Sequence, residues 1–565
     1  MSGVHPHRLK IVKDAPVARG APNSPWREAA LAFGVAFAAL VLLHLPLLGL
    51  PYFWDEAGYY IPAARDLLLT GNPIPHSTSA NPHPPLVAAW LAAAWKVAGY
   101  SPPVTRLAML LWAALAVAGI FHLAKRVANT EVAVATAALT TLYPVFFAQS
   151  SLAHLDVAAA ALTFWGLLFY LEYRKLACVV AFSLAALAKE TAILAPLALL
   201  GWEIAGRVLR RRAALPAPWA TPREDGDDPL FLLTPLGPLF GWFVYQHART
   251  GYWLGDPEFV RYNLTATLSP TRFVLALLQR LWQLTGHMNL YVAGAAMLLA
   301  MLFPALPERR QGRVIAMPDE TPLRQRIAIA TQVSFAVVGL AYVLALSVVG
   351  GAVLARYLLP VVPLFLLVCV STLRRRVAIW KWVVTIIAGS FVTGLFVNPP
   401  YRFAPEDNLA YRDYVLLHQD AARLVRERYA NARVLTAWPA TDELAHPYLG
   451  YVDRPVRVLA IENFSWTPLA AAARRSDYDV ALLFSTKYQP PGGSPLDWLP
   501  FWRHAHERYF DYHEDLPPEV AAPLLGGEIV HQATRGGQWV AVVEFKRVVN
   551  ARLDCRTAEV RNCRI

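Results

Sequence analysis

The chain of 565 residues is too apolar to be a soluble globular protein. Hydrophobic residues make up 56% of it, charged residues only 16% against about 25% in ordinary soluble domains, and its mean hydropathy is +0.35. The same figures exclude a disordered chain, which needs low hydrophobicity and a high density of charge. The composition therefore predicts a membrane protein.

The net charge of +12 is distributed unevenly along the chain. Residues 1–397 carry 32 basic and 19 acidic side chains, a net charge of +13, whereas residues 398–565 carry 20 and 21, a net charge of −1. A basic excess confined to the loops of an apolar region is typical of membrane proteins. Nucleic acid is therefore not an expected partner.

The first 27 residues are polar and rich in proline, which predicts a short disordered N-terminus. The apolar run 28–50 that follows is too long for a cleaved signal and predicts a signal-anchor helix. Ten more apolar runs bring the total to about eleven spanning helices within residues 28–397, at 106–124, 131–150, 157–173, 176–189, 191–206, 230–247, 288–304, 327–349, 357–373 and 378–397.

The basic residues predict the orientation of these helices. Loops on the same side as the N-terminus hold 23 Lys and Arg, and those on the other side hold 9. By the positive-inside rule the N-terminus is cytoplasmic and residues 398–565 lie outside. Two long loops, 51–105 and 248–287, also face outward, and their amphipathic stretches 86–97 and 273–284 predict helices lying at the membrane surface.

Residues 398–565 have the composition of a soluble domain. β-rich runs alternate with helix-compatible stretches, which predicts a small α/β domain. The strands are expected at 433–437, 456–461, 478–485 and 538–545, and the helices near 411–430, 466–475 and 497–508. In the tail, Cys555 and Cys563 could pair only in an oxidising compartment, so the sequence leaves their state open.

Asp55 and Glu56 open the first outer loop directly after a predicted span. Carboxylates are costly near a bilayer unless they are paired, hydrated or functional, although a solvated loop start with an aromatic belt that includes Tyr59 is an equal alternative. His83 follows in a proline-rich stretch and offers a donor or acceptor near neutral pH. A stiff turn before a helix is the simpler reading of that stretch.

His154 and Asp156 lie in the very short second outer loop and could either cap the next helix or face the first loop. Lys189, next to Glu190, is a cation on the outer side, against the positive-inside trend. The pair could simply neutralise itself, or Lys189 could bind an anion such as phosphate.

Arg261 and Arg356 are also predicted outside, and Arg356 is followed by Tyr357. Each arginine taken singly could be snorkelling at the interface. Together with the residues above they gather acids, histidines and cations on one face of the bundle. A divalent metal is a candidate cofactor, with Glu56, His83 and His154 as weak candidate ligands, but their spacing is not diagnostic.

These residues resemble the glycosyltransferase-C superfamily, in particular its protein O-mannosyltransferase-like branch and the related lipid A aminoarabinose transferases. The resemblance covers about residues 28–370. The motifs that carry it are Asp55-Glu56 with Tyr59, Ala63-Ala64-Arg65-Asp66, His83-Pro84-Pro85-Leu86, His154-Leu155-Asp156, Leu187-Ala188-Lys189-Glu190, Arg249-Thr250-Gly251 and Arg356-Tyr357-Leu358-Leu359-Pro360.

The resemblance implies a membrane enzyme that transfers a sugar from a polyprenyl-phosphate donor to a lipid, glycan or protein acceptor, usually with inversion. It implies that Asp55 is the catalytic base, with Glu56 beside it. Asp156 matches the second-loop acid and Lys189 matches a lysine near the donor phosphate. Tyr59, His83, His154, Arg261, Arg356 and Tyr357 are further expected substrate-binding residues.

The chain departs from the aminoarabinose branch at two positions. That branch has an arginine where this chain has Gly58 and an acidic residue where it has Pro82. The metal site and acceptor of that branch are therefore not expected to carry over unchanged. The expected location is the inner or plasma membrane, with the C-terminal domain periplasmic in a Gram-negative cell.

Two other classes of function remain open from the sequence. A transporter or flippase of lipid-linked sugars would also place ionisable residues in a bundle, but usually near the middle of the membrane and often with repeated halves. A scaffold acting through residues 398–565 is the other alternative. The acidic loop residues would then be dispensable.

Overall fold

A computed structural model describes residues 25–211, 228–264, 267–308, 323–475, 477–494, 498–510 and 512–545. Most of the predicted N-terminal segment 1–27, several basic residues of the loops predicted to be cytoplasmic, and Cys555 and Cys563 lie outside these ranges. The pairing of the two cysteines therefore stays open.

The N-terminal part of the chain is helical. Each predicted apolar run coincides with one of its helices, except 131–150, which is divided between two. The helices are α1 Pro25–His44, α2 Ile61–Thr70, α3 Leu86–Ala98, α4 Pro102–Val127, α5 Thr130–Leu142, α6 Pro144–Gln149, α7 Asp156–Leu171, α8 Lys175–Ala188, α9 Leu194–Arg211, α10 Leu236–Thr250, α11 Pro257–Asn263, α12 Pro270–Thr285, α13 Leu290–Met301, α14 Ile329–Val348, α15 Val362–Arg376 and α16 Trp380–Phe396.

Several of these helices can cross a membrane. Among the described residues, five helical stretches are long and apolar enough by length and composition, namely Trp26–Leu47, Pro102–Val127, Glu190–Leu209, Pro270–Met301 and Ile329–Val348, and others are apolar but shorter. The protein is thus a multi-pass membrane protein. The predicted number of about eleven spans stays a prediction.

Small residues allow the central helices to approach closely. α7 packs against both α4 and α8. Gly166 of α7 lies so close to the Phe182 ring of α8 that an added Cβ would be 2.6 Å from it, and Gly119 of α4 lies against Trp165. Such contacts are expected in a bilayer, where helices associate by close packing because lipid tails are as apolar as the side chains.

The C-terminal part is the predicted α/β domain, with a sheet of five strands rather than the four expected and with helices flanking it. The strands are β1 Arg433–Ala437, β2 Arg457–Ile461, β3 Val480–Phe484, β4 Glu528–Arg535 and β5 Gln538–Glu544, and the helices are α17 Ala410–Arg428, α18 Ala440–Ala445, α19 Trp466–Ala472, α20 Pro500–Tyr509 and α21 Pro518–Leu525. The strand order is β2-β1-β3-β5-β4, with β1 parallel to β2 and β3, and β5 antiparallel to β3 and β4.

The strand β4 was not expected from the sequence. Its residues alternate weakly between half-buried and exposed, because it is an edge strand. Gly536 and Gly537, with φ of 53° and 82°, form the two-residue turn that joins it to β5. Such a turn needs positive φ at both positions, which glycine adopts without strain.

The sheet domain docks directly onto the first outer loop. The Tyr451 hydroxyl donates to the carbonyl of Tyr52 at 3.0 Å, and the Tyr100 hydroxyl donates to that of Tyr448 at 2.8 Å. The indole of Trp438, in the connection after β1, packs on Gly58. The domain therefore lies over the loop that begins with Asp55.

Candidate active site

Asp55 sits at a distorted point of the backbone. The preceding Trp54 has φ of 43°, in the left-handed region that a bulky side chain rarely adopts, and a π-helical turn, Glu56–Tyr60, follows. Such features are costly and recur at functional sites. Here the Trp54 ring is held against the rings of Tyr414 and Trp438, at centroid distances of 5.6 and 5.3 Å. The outer domain thus helps to fix the conformation around Asp55.

Arg356 connects most of the charged groups of the site. It lies on a short helical turn, Ala355–Leu358, and is 1% exposed. One terminal nitrogen, Nη2, donates to Asp55 Oδ2, and the other, Nη1, lies 2.9 Å from His154 Nδ1. Its Nε lies 3.5 Å from Asp156 Oδ2. This arginine therefore brings together the acidic residues of the first and second outer loops.

Asp156 is also paired with Lys189, whose Nζ lies 2.6 Å from Asp156 Oδ1. Asp156 begins α7 and Lys189 follows α8, so the ends of two packed helices bring them together. The Lys189 ammonium also lies 3.8 Å from the centre of the Tyr357 ring. The alternative in which Lys189 pairs with Glu190 is not what the structure shows, because Glu190 contacts His83.

Glu406 is a further acid of the site. It lies on the short turn Pro405–Asp407, which follows α16, and its Oε2 accepts from Arg356 Nη1 at 2.7 Å. Burial raises the pKa of the Glu406 carboxyl, Arg356 opposes that effect, and Asp55 adds to it. Three carboxylates thus share one guanidinium, an arrangement in which at least one of them holds a proton more tightly than usual.

His154 is fully buried beside these charges. Burial, reinforced by the positive charges of Arg356, Arg106 and Lys189, lowers the pKa of its imidazole well below the usual value. Its ring lies 5.6 Å from the ring of Tyr60. His154 is therefore neutral at physiological pH and acts as a hydrogen-bonding group rather than a cation.

Glu56 points away from this cluster. It is completely buried and forms an ion pair with Arg106, which donates from Nη1 to Oε1 and, at 3.0 Å, from Nη2 to Oε2. The backbone N–H groups of Phe53 and Ala153 also donate to it, at 2.8 and 2.5 Å. Its carboxylate joins the first and second loops, and its geometry fits a structural role.

His83 and Tyr59 lie beside the cluster. His83 Nδ1 lies 2.8 Å from Glu190 Oε2, and the imidazole ring is 6.2 Å from that of Tyr60. The Tyr59 ring is 5.6 Å from that of Trp438. Both residues are half-buried, so each retains some exposed surface.

Arg261 differs from every other predicted site residue because it is exposed. It lies on the short helix α11, whose Phe259 ring is 6.0 Å from that of His83. Arg356, not Arg261, occupies the centre of the charged cluster.

Several buried charged residues were missed from the sequence, and three of them bear on the site. Arg106 lies at the edge of an apolar run, Arg280 lies in the amphipathic stretch of α12, and Glu406 lies beyond the boundary predicted at 397/398. Arg280 donates to the Leu354 carbonyl at 2.6 Å, and its guanidinium lies 5.5 Å from the Tyr357 ring. An arginine on the buried side of an amphipathic helix was the one available signal.

A metal does not fit this arrangement as it stands. Among the described residues, ligand atoms of Asp55, His154 and Glu406 lie within 4.8 Å of one another. All three contact Arg356, so the guanidinium already supplies the positive charge there. The other candidates, Glu56 and His83, are engaged by Arg106 and Glu190. A metal requirement stays an untested prediction.

One family model matches part of the chain. Residues 82–222 match the family described as dolichyl-phosphate-mannose-protein mannosyltransferase. This match confirms the resemblance stated from the sequence. The matched segment includes His83, His154, Asp156 and Lys189, whereas Asp55 lies before it and Arg356 after it.

Several solved structures are similar to this chain at low sequence identity. The apo structure of ArnT from Cupriavidus metallidurans is 14% identical, with 91% of this chain and 98% of that chain covered and a TM-score of 0.48. The structure of the same protein bound to undecaprenyl phosphate is also 14% identical, with 92% of this chain and 98% of that chain covered and a TM-score of 0.47. The apo structure of the oligosaccharyltransferase from Archaeoglobus fulgidus is 11% identical, with 91% of this chain and 74% of that chain covered and a TM-score of 0.42. No curated protein sequence matches this chain.

Proposed function

We propose that the protein is a membrane glycosyltransferase that moves a sugar from a polyprenyl-phosphate donor to an acceptor hydroxyl or phosphate on the extracytoplasmic face. The observation that carries the proposal is the buried cluster in which Asp55 and Asp156 meet Arg356 and Lys189. Acids and cations held together beside an outer loop are what this reaction needs.

Asp55 is the group that best suits the role of base. Its side chain is 20% exposed, whereas that of Asp156 is 3% exposed, so a substrate can reach it. As the acceptor oxygen attacks the anomeric carbon, its proton passes to the Asp55 carboxylate and the bond from that carbon to the donor phosphate breaks. Attack opposite to the leaving phosphate inverts the sugar.

The leaving phosphate retains the electron pair of the broken bond and gains negative charge. Lys189 and Arg356 stabilise that charge, because preorganised cations in a buried site act more strongly than they would in water. Since both are already paired with Asp55 or Asp156, phosphate binding competes with those ion pairs. The Tyr357 ring contacts Lys189, Arg356 and Arg280 and helps to position them.

Helix α12 has an arrangement that suits a lipid-linked donor. Its exposed residues include Val274, Leu278 and Leu281, whereas Arg280 and Gln283 are buried. An apolar outer side and a polar inner side are expected where a lipid tail runs along a helix and its charged head enters the protein.

The position of the cluster argues against a transporter. Its members lie in loops or at helix ends, at the start of α7 and the end of α8, rather than in the middle of broken helices. We place the protein in the inner or plasma membrane with residues 398–565 outside, on the basis of the basic loops.

The proposal is tested with purified protein in lipid nanodiscs. A panel of labelled polyprenyl-phosphate sugars is offered with lipid, glycan and peptide acceptors, with and without chelator. We expect transfer from one donor, and a loss of about 10²- to 10⁴-fold in Asp55→Asn, the range for removing a general base. If Asp55→Asn transfers sugar as fast as wild type, Asp55 is not the base.

A further inference from the structure

Glu406 belongs to the segment that joins the last membrane helix to the outer domain, yet it reaches the centre of the charged cluster. It is 4% exposed. Its Oε1 has no hydrogen-bond partner among the described residues, whereas Oε2 accepts from Arg356. A buried carboxyl group with a single hydrogen-bonding side chain is costly unless the contact is useful.

The backbone around Glu406 is fixed from several directions. Gln149 at the end of α6 donates from Nε2 to the Glu406 carbonyl at 3.1 Å. The neighbouring Asp407 contacts His287 Nε2 at 2.9 Å, and Asn408 donates to the Gly394 carbonyl at 3.2 Å. The turn Pro405–Asp407 is therefore a rigid support for the carboxyl group it carries.

The contact with Glu406 determines how Arg356 can pair with Asp55. Arg356 uses Nη2 for Asp55 and Nη1 for Glu406, its second carboxylate partner, while Nη1 also lies 2.9 Å from Nδ1 of the neutral His154. An arginine that lacked the second partner could place both terminal nitrogens on the two oxygens of Asp55, since guanidinium and carboxylate match in a bidentate pair. Such a pair would occupy both oxygens of the proposed base.

Resting on the function proposed above, we infer that Glu406 is a positioning residue: by holding Nη1 of Arg356, it keeps one oxygen of Asp55 available to take the proton of the acceptor. The segment after the last span is then part of the active site. Glu406 acts through Arg356 and does not itself need to touch the substrate.

The test compares Glu406→Gln, Glu406→Asp and a matched control, Glu443→Gln. Glu443 is also a buried glutamate of residues 398–565, but it pairs with His418 at 2.6 Å, away from the cluster. Initial rates are measured over a range of donor concentrations, and melting temperatures in detergent report folding.

We expect Glu406→Gln to lower kcat by about 10- to 100-fold, the scale for a misplaced catalytic group, with the KM for donor changed less than about threefold. Glu406→Asp should recover part of the loss, because it restores a carboxylate. Glu443→Gln should lower the melting temperature and leave kcat within about twofold of wild type. A purely structural role would instead lower the melting temperature of Glu406→Gln without this selective loss of kcat.

Several results would overturn the inference. These are an unchanged kcat in Glu406→Gln, an effect on KM alone, or the same kinetic loss in Glu443→Gln. If Glu406→Gln does not fold, Glu406→Asp is judged by the same criterion. Wild type and Asp55→Asn are measured alongside: no transfer by wild type rejects the proposed function and this inference together, whereas an active wild type, an inactive Asp55→Asn and a normal Glu406→Gln reject this inference alone.

Discussion

Two adjacent carboxylates, Asp55 and Glu56, form ion pairs that differ in burial and in the number of hydrogen bonds. Glu56 is inaccessible and receives hydrogen bonds from one arginine and two backbone N–H groups, so both of its oxygens are satisfied. Asp55 is partly exposed and has only a share of an arginine that also contacts Asp156 and Glu406. The Glu56 carboxylate therefore has its full set of partners, whereas the Asp55 carboxylate does not.

The difference shows how a structural acid is distinguished from a functional one. A buried ion pair offsets the cost of desolvation only when its remaining hydrogen bonds are made, as they are for Glu56 and Arg106. An arginine shared among three acids can exchange one partner for a phosphate with little loss. Under the proposed function, the reactive region of the molecule is the one around Arg356, and the region around Glu56 supports it.

The largest effect expected on this comparison comes from Glu56→Gln. It would leave the buried guanidinium of Arg106 without a charged partner, at a cost of about 3–5 kcal/mol of stability. The melting temperature in detergent should fall clearly, while the fraction that stays folded keeps a kcat close to that of wild type. If Glu56→Gln instead melts like wild type and is as inactive as Asp55→Asn, the division between the two acids is wrong.

A smaller effect is expected where the outer domain contacts the loop of Asp55. In Gly58→Ala the new Cβ would lie 2.5 Å from the indole of Trp438, and overpacking of this kind costs about 1–3 kcal/mol. We expect a lower melting temperature and a moderate loss of kcat, because Trp438 also contacts Trp54.

The matched control for this change is Gly49→Ala. An added Cβ at Gly49 has no atom within 4 Å, so this variant should behave like wild type. Equal behaviour of the two variants would mean that the contact between Trp438 and the loop does not matter for Asp55.

The smallest effect is expected from Arg261→Ala. Arg261 is exposed, and changes at exposed positions away from a site usually alter free energies by less than about 0.5 kcal/mol. Its kinetic constants should stay within about twofold of wild type, whereas Arg356→Ala should lose nearly all activity in the same assay. A large loss in Arg261→Ala would show that α11 moves onto the donor.

Local signals in the sequence were sufficient for most of the secondary structure. Long apolar runs predicted the membrane helices, and β-rich runs predicted four of the five strands, with β1 at its observed bounds. The edge strand β4 was missed because it is neither clearly apolar nor clearly alternating. A strand with only half-buried and exposed residues leaves a weak pattern.

The residues of the candidate site were predicted only in part, because local signals identify some of them and not others. Asp55, Asp156, Lys189 and Arg356 stood out because charged residues are rare next to apolar runs, and the structure brings these four together. Glu406 did not stand out, because an acid in a soluble domain is ordinary. Neither the grouping around Arg356 nor the opposite directions of Asp55 and Glu56 could be read from their positions in the chain.

The amino-acid sequence by itself determined that this is a membrane protein with a C-terminal α/β domain and that a small set of charged residues lies at the ends of its helices, because hydropathy and charge act over a few residues at a time. Only the tertiary structure decided which acid meets which cation. Arg356 is 301 residues from Asp55 in the chain and Glu406 is 50 residues from Arg356, and such pairs form through the packing of whole helices. The composition that excluded a soluble protein thus predicted a membrane protein, and long-range packing brought the residues of the candidate site together.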